Sequence, residues 1–284
     1  MNLSFVLLGL AIAAAWLPIP HWRGIVLPAW VPPFVAAALA GAASGVLLPA
    51  ALMALAVAGG LVAAVHLAPR GRGVFLLLLA AWTLALALHL LPGFRHAILI
   101  EDVQLSAGAR PFTSWLHFDK GAAGLLLLAA IGRPEGAMAP RRALAWTAAG
   151  ALATTAAALG LATLLGITRP ALKWPDVAPA FLAGNLLFTC VAEEAFFRGL
   201  LQERLARLGG PRARVAAVLA ASTAFGLAHA GGGAAYMLVA AVAAIGYGTV
   251  YAATRRLECA IAVHFAVNAT HFTLFAYPGV WPAA

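Results

Sequence analysis

Long apolar stretches separated by short polar loops repeat along the whole chain. They lie near residues 3–19, 27–47, 49–68, 74–93, 143–168, 177–197, 215–230, 234–253 and 260–277, with a shorter one at 121–132. Most are close to the about 20 apolar residues that a helix needs to cross a bilayer. The pattern predicts an all-α fold, a polytopic transmembrane helix bundle of about eight to ten spans.

Composition supports the same class. Hydrophobic residues make up 64% of the chain and charged residues 10%, whereas roughly a quarter of the residues in soluble domains are charged. We therefore expect an integral, multi-pass membrane protein with the lipid bilayer as its surroundings. The net charge of +9 comes from Arg and Lys in short loops rather than from a contiguous basic domain, so no nucleic-acid partner is expected.

The loop charges also predict an orientation. If the Arg-rich segment 198–214 faces the cytoplasm, alternating spans place Arg70, Arg72, Arg255 and Arg256 on the same side, as the positive-inside rule requires. Lys120 and Lys173 then lie on the outer side. The Ala/Leu/Arg-rich composition is typical of a GC-rich bacterium, and it predicts the cytoplasmic (inner) membrane as the location.

The two halves of the chain differ in their polar content. Residues 1–93 are almost entirely Ala, Leu and Val, and the segment 94–120 is the longest polar interruption. We expect that interruption to cap a cavity or to lie along the membrane interface. The sequence predicts an N-terminal transmembrane accessory region, 1–142, and a second transmembrane domain, 143–284, which holds the chemistry. Cys190 and Cys259 fall in or beside spans, so we expect buried thiols and no disulfide framework.

Two adjacent carboxylates follow one long apolar stretch in "TCVAEEAFFRGLL", residues 189–201. A charged side chain inside a spanning helix costs at least about 2.5–3.5 kcal/mol, so it indicates a functional site by default. On a helix, Glu194 and Arg198 are four residues apart and can pair, while Glu193 is turned by about 100° and stays available. The alternative is a helix that ends near Ala192 and leaves both carboxylates solvated.

The next span places a histidine level with Glu193. It ends in "STAFGLAHAGGG", where Phe225 and His229 share a helical face. Glu193 and His229 are each 18 residues from Pro211, in the turn between the two spans. If both arms stay helical, each residue lies about 27 Å from the turn. We therefore expect Glu193 and His229 to meet, although a lone histidine at the end of a span is more often structural.

The last span contributes a stripe of polar side chains. In "AVHFAVNATHF", His264 and Asn268 are four residues apart and His271 follows three later, so all three can line one face. Each of them alone can simply hold helices together. Together with a Glu–His pair they predict a polar cavity, and the sequence leaves the role of His271 open.

These residues suit peptide hydrolysis by activated water. A carboxylate in a low-dielectric cavity gains affinity for protons, which suits a general base, and neighbouring donors can stabilise an oxyanion. The set is Glu193, His229, His264 and Asn268, with no nucleophilic side chain and no cofactor. The less favoured alternative is a zinc site with Glu193, His229 and His264 as ligands, but the H-E-x-x-H pattern is missing. A proton-coupled transporter uses similar residues but predicts inverted repeats, and no matching half is evident.

Three short motifs resemble a known family. "EEAFFR" (193–198), "FGLAH" (225–229) and "HFAVN" (264–268) are similar to the EExxxR, FxxxH and HxxxN/D motifs of the CAAX-protease and bacteriocin-processing family, also called the Abi or type II CAAX prenyl endopeptidase family. The resemblance covers roughly 177–277. It implies an all-α intramembrane endopeptidase of the glutamic type, long described as a metalloprotease.

The resemblance also implies residue roles and a class of substrate. Glu193 is expected to act as base, His229 to help activate water, and His264 with Asn268 to stabilise the oxyanion. Glu194 and Arg198 are expected to form a structural pair, with Phe225 supporting the site. The expected substrate is a membrane-anchored protein or peptide cut near its C-terminus during maturation or sorting. Bacterial relatives are associated with bacteriocin immunity, so a non-enzymatic role in the membrane is a further alternative.

Overall fold

The computed structural model describes residues 2–17, 21–22, 25–132 and 134–280, and α-helices dominate them. The helices are α1 (Leu3–Ala14), α2 (Val31–Ala43), α3 (Pro49–Leu67), α4 (Arg72–Ala87), α5 (Phe118–Ile131), α6 (Pro140–Leu164), α7 (Ala178–Ala206), α8 (Pro211–Ala228), α9 (Ala234–Thr254) and α10 (Leu257–Leu274). Proline stands in the first turn of α2, α3, α6, α7 and α8. Its fixed φ and missing N–H suit that position.

By length and composition, five of the described helices can cross a membrane. They are Pro49–Leu67, Pro69–Ala87, Pro140–Leu164, Ala178–Ala206 and Ala234–Thr254. Two shorter apolar helices, Leu3–Ala14 and Val31–Ala43, accompany them. The predicted all-α transmembrane fold is confirmed, and the helix content is roughly consistent with eight to ten spans.

Large apolar side chains cover the outside of these helices. Met53, Leu77, Leu144 and Leu152 are each at least 70% exposed. Such side chains are costly in water but match the hydrocarbon tails of lipids. The distribution is therefore that of an integral membrane protein. Both cysteines are buried free thiols, as expected.

Two short antiparallel hairpins interrupt the helices, and the sequence analysis did not predict them. One joins β1 (His21–Trp22) to β2 (Ile25–Val26), and the other joins β3 (Ala97–Val103) to β4 (Phe112–Leu116). The second hairpin occupies the segment that we expected to be a polar interruption between spans. Its strands, "AILIEDV" and "FTSWL", are rich in β-branched and aromatic residues, which favour extended backbone.

The described chain forms two compact units. Unit 1 consists of Met1–Ile98, Trp115–Gly132 and Leu187–Phe196, and unit 2 of Leu99–Ser114, Arg133–Leu186 and Phe197–Ala284. Helix α7 contributes residues to both units, because its middle part, 187–196, belongs to unit 1. The boundary between 142 and 143 stays a prediction.

Within unit 1, small residues let helix α5 approach the middle of α7 closely. A Cβ atom added at Gly124 would lie 2.8 Å from the Cα atom of Ala192, and one at Gly121 would meet the ring of Phe188 at 2.7 Å. The ring of Phe5 in α1 contacts those of Phe118 and Phe188, with centroids 6.0 Å apart in each case. The start of α5 is thereby fixed beside the residues that precede Glu194.

Within unit 2, polar side chains from the end of α7 bond to helix α9. Arg198 donates to the Ala244 carbonyl and Gln202 to the Gly248 carbonyl, both at 2.9 Å. Glu203 accepts from Arg255 at 2.7 and 2.9 Å and from the Tyr251 hydroxyl at 3.1 Å. Hydrogen bonds of this kind join helices where water is excluded. They fix the C-terminal half of α7 against α9.

Candidate active site

Helix α7 runs without a break through both carboxylates. It continues from Ala178 to Ala206, so it does not end near Ala192 as the solvated alternative required. Two stretches, Asn185–Cys190 and Ala195–Gln202, are wound in wider π-type turns, and the segment Val191–Glu194 between them is α-helical. Such wide turns are rare and are frequently found at functional sites. The two turns flank the adjacent carboxylates.

Glu193 lies in unit 1 and forms an ion pair. Its Oε1 atom is 2.7 Å from the Nζ atom of Lys120, and the two side chains are only 17% and 21% exposed. Lys120 stands in the first turn of α5, four residues before the close approach at Gly124. Sequence reasoning did not assign Lys120 to the site. The sequence feature that could have pointed to Lys120 is its position at the start of an apolar stretch that is rich in glycine.

Glu194 and Arg198 are both fully buried. In unit 2, the guanidinium carbon of Arg198 lies 5.0 Å from the Phe225 ring centroid and 5.2 Å from that of Tyr247. A buried charge is strongly destabilising unless an opposite charge compensates it. Two opposite charges, four residues apart on one buried helix, are what the predicted pair needs. The pairing itself stays a prediction.

His229 follows the last residue of α8. Its Nδ1 atom lies 2.8 Å from the carbonyl oxygen of Phe225, and the two rings stack with centroids 4.6 Å apart. A carbonyl only accepts, so Nδ1 must carry the hydrogen. In the neutral imidazole Nε2 is then the basic nitrogen. The helical arms that the sequence argument needed, 193–206 and 211–228, are both helical.

His264 is buried in α10 and packs among aromatic rings. It stacks on Tyr247 at a centroid distance of 4.5 Å and an interplanar angle of 11°, and it contacts Phe225 edge to face at 5.7 Å. Phe225 therefore contacts both His229 and His264. Unit 2 thus brings both predicted histidines to one aromatic side chain; the supporting role of Phe225 stays a prediction.

Asn268 lies one turn after His264 and bonds to helix α7. Its Nδ2 atom donates to Oδ1 of Asn185 at 3.1 Å. Sequence reasoning missed Asn185, although an amide within an apolar stretch is an available signal. His271, the third residue of the stripe, contacts the Tyr277 ring at a centroid distance of 4.9 Å. The three residues of the stripe therefore contact three different partners: Tyr247, Asn185 and Tyr277.

Lys173, in the loop before α7, contacts the C-terminal end of helix α10. It donates to the carbonyl of Phe275, and its Nζ atom lies 5.9 Å from the Phe272 ring centroid. Burial lowers the pKa of Lys173 to about 8, because an apolar environment disfavours the charged amine. Lys173 thereby connects the loop before α7 to the end of α10, the helix that carries the polar stripe.

The comparisons with known proteins bear on the same region. Residues 174–270 match the model of a family described as type II CAAX prenyl endopeptidase Rce1-like. This segment is similar to the Rce1-like family. The resemblance predicted from the three motifs is thereby confirmed, over about a third of the chain. No curated protein and no solved structure matches the chain.

The Rce1-like segment includes all the predicted site residues, and the family that it resembles is described as a type II CAAX prenyl endopeptidase. Glu193 belongs to unit 1, whereas His229, His264 and Asn268 belong to unit 2. Within unit 2 the structure places both histidines against Phe225. The convergence of Glu193 with these residues stays a prediction.

Proposed function

We propose that the protein is an intramembrane endopeptidase that uses Glu193 to activate water. The observation that carries the proposal is the Rce1-like segment, in which Glu193 lies on an unbroken helix between two wide turns. The same segment holds His229, directly after α8, and His264 and Asn268 in α10. Catalysis of this type needs one base and several donors but no nucleophilic side chain.

Glu193 is the proposed general base. The Lys120 ammonium, 2.7 Å from Oε1, stabilises the carboxylate anion, which is the form that can take a proton. Water then attacks the carbonyl carbon of the peptide, its proton passes to Glu193, and a tetrahedral oxyanion forms. Transfer of that proton to the amide nitrogen breaks the C–N bond and releases the amine product.

His229, His264 and Asn268 are the proposed donors and orienting groups. With Nδ1 of His229 held by the Phe225 carbonyl, the basic Nε2 atom can accept a hydrogen bond from the attacking water. The bond from the Asn268 amide to Asn185 fixes the plane of that amide, and Asn268 is the proposed donor to the oxyanion. His264, held by its stacking on Tyr247, can supply the other donor.

The alternative with zinc on Glu193, His229 and His264 fits the structure less well. Oε1 of Glu193 lies 2.7 Å from the positively charged Lys120 ammonium. A dication bound to Glu193 would meet that ammonium at close range and be repelled. Lys120 therefore supports metal-free catalysis at Glu193.

The proposed substrate is a membrane-anchored protein or peptide that is cut near its C-terminus, in the cytoplasmic membrane of a bacterium. Support comes from the five apolar helices, from the CAAX-type family, whose name refers to a C-terminal motif, and from the bacterial composition. A substrate anchored in the bilayer can reach a base on a spanning helix without leaving the membrane.

Comparative membrane proteomics tests this proposal. A deletion strain is complemented with the wild type, with Glu193→Gln, or with Glu101→Gln as a control at an exposed carboxylate in β3. We expect at least one membrane protein to keep an extra C-terminal segment in the deletion and Glu193→Gln strains only. Identical C-termini in all strains, together with an altered ion or proton gradient, would instead support a transporter.

A further inference from the structure

A second cluster of polar side chains lies in unit 1, outside the Rce1-like segment. His89 follows the end of α4, His96 precedes β3, and His117 and Asp119 stand where β4 meets α5. One nitrogen from each histidine and one oxygen of Asp119 all lie within 4.8 Å of one another. Three chain segments are therefore joined at one point by four side chains that ligate metals.

The three imidazole rings are packed against each other. Their centroids are 4.2 Å apart for His89 and His117, 4.4 Å for His96 and His117, and 4.9 Å for His89 and His96. Nδ1 of His117 is 2.9 Å from Nδ1 of His96, and Nδ1 of His89 is 2.8 Å from Oδ2 of Asp119. Two ring nitrogens directed at each other can bond only if one donates and one accepts. A cation that accepts lone pairs from both removes that constraint.

We propose that His89, His96, His117 and Asp119 form a binding site for a divalent transition metal, with zinc as the best fit. Imidazole nitrogen and carboxylate oxygen are among the protein ligands of Zn²⁺, which prefers four in a tetrahedron. Bonds of about 2.0–2.1 Å place tetrahedral ligand atoms about 3.3 Å apart. The most distant pair of ligand atoms, at most 4.8 Å apart, must therefore approach by up to about 1.5 Å when a metal binds.

The surroundings hold the proposed ligands in place. Asp119 is buried, and its other oxygen, Oδ1, accepts from the backbone N–H of Lys120 at 2.9 Å. That bond directs Oδ2 towards the histidines, which is how carboxylate ligands are usually oriented. His89 has a φ of +59°, a left-handed conformation that is uncommon outside glycine but in which histidine is one of the enriched residue types. This backbone conformation occurs at the residue whose ring joins the cluster.

The site has a structural consequence for Glu193. Asp119 and Lys120 are neighbours in the first turn of α5, and Lys120 pairs with Glu193. A metal on Asp119 would fix this turn and with it the ammonium beside the proposed base. The metal is therefore expected to support the site from outside without touching the substrate.

Metal content of the purified protein tests the proposal. The full chain, with its affinity tag removed, is equilibrated with Zn²⁺ in detergent, freed of loose metal, and analysed by mass spectrometry. We expect about one zinc per chain in the wild type and much less in His96→Gln/His117→Gln. His66→Gln is the matched control, because His66 bonds the Ala129 carbonyl away from the cluster, and it should keep the zinc.

Two further measurements separate this site from the other zinc hypothesis. Glu193→Gln should keep its zinc, whereas loss of zinc in that variant alone would overturn the proposal and place the metal at the motif residues. Co²⁺ in place of zinc should give visible absorption bands that the cluster variants lose. The single variant His96→Gln removes an exposed ring and serves if the double variant does not fold. Wild-type zinc that does not exceed that of His96→Gln would also overturn the proposal.

Discussion

Lys120 forms an ion pair with Glu193, and its charge can be tested separately from its shape. Lys120→Gln removes the ammonium that lies 2.7 Å from the carboxylate. A hydrogen bond to a charged group contributes about 1.5–3 kcal/mol, so we expect kcat/KM to fall about 10–100-fold. Lys120→Arg keeps a cation and should recover most of the loss. Equal activity of Lys120→Gln and the wild type would remove Lys120 from the account.

Substitution of the second carboxylate, Glu194, should lower the stability of the protein more than it affects the catalytic step. Glu194→Gln leaves the buried Arg198 without its predicted counter-charge, and breaking a buried pair costs about 3–5 kcal/mol. We expect a clearly lower Tm in detergent for Glu194→Gln, with part of it regained in Glu194→Gln/Arg198→Gln. The prediction fails if the single variant is as stable as the wild type.

Polar residues inside apolar helices can be recognised as candidate functional residues from the sequence, because placing them in the membrane costs much free energy. That argument located Glu193, Glu194, His229, His264 and Asn268, and the family comparison supports the segment that contains them. Lys120 and the cluster around Asp119 were not predictable in the same way. Lys120 is 73 residues from Glu193, and no local pattern shows which segments of a chain will meet.

At the scale of elements, the close packing of α5 against α7 positions Lys120 beside Glu193. A Cβ atom at Gly124 would lie 2.8 Å from the Ala192 backbone, so Gly124→Ala must push the two helices apart. We expect lower activity and a lower Tm for this variant. Gly60→Ala is the matched control, since a Cβ atom there meets nothing within 4 Å and alanine favours a helix by about 0.8–1.0 kcal/mol. Equal activity of both variants would contradict this role of Gly124.

Helices were easier to predict from this sequence than strands or wide turns. Apolar length alone indicated most helices, because the bilayer fixes the length of a span. The strands Ala97–Val103 and Phe112–Leu116 were missed because charged residues within 94–120 drew the interpretation towards a loop. The wide turns of α7 have no counterpart in the apolar pattern and were not predicted; the second one, Ala195–Gln202, contains Arg198 and Gln202, which bond to α9.

At the scale of the whole molecule, the distribution of arginines predicts the orientation in the membrane. A cysteine at Leu208, which is 80% exposed, should react with a membrane-impermeant reagent only from the cytoplasmic side. A cysteine at Leu172, which is 85% exposed and one position before Lys173, should react only from outside. The native cysteines are buried, so the background should be low. Reaction with the opposite preferences would invert the topology.

The central claim is that Glu193 is the general base of a peptidase, and one measurement tests it most directly. The protein that accumulates in the deletion strain is reconstituted with purified wild type, Glu193→Gln or Glu101→Gln, and new C-termini are quantified by mass spectrometry. Glutamine keeps the shape of glutamate but cannot take a proton from water. We predict that Glu193→Gln cleaves about 10²–10⁴-fold more slowly while it still folds and inserts, and that Glu101→Gln matches the wild type. Cleavage by a folded Glu193→Gln at the wild-type rate would contradict the account.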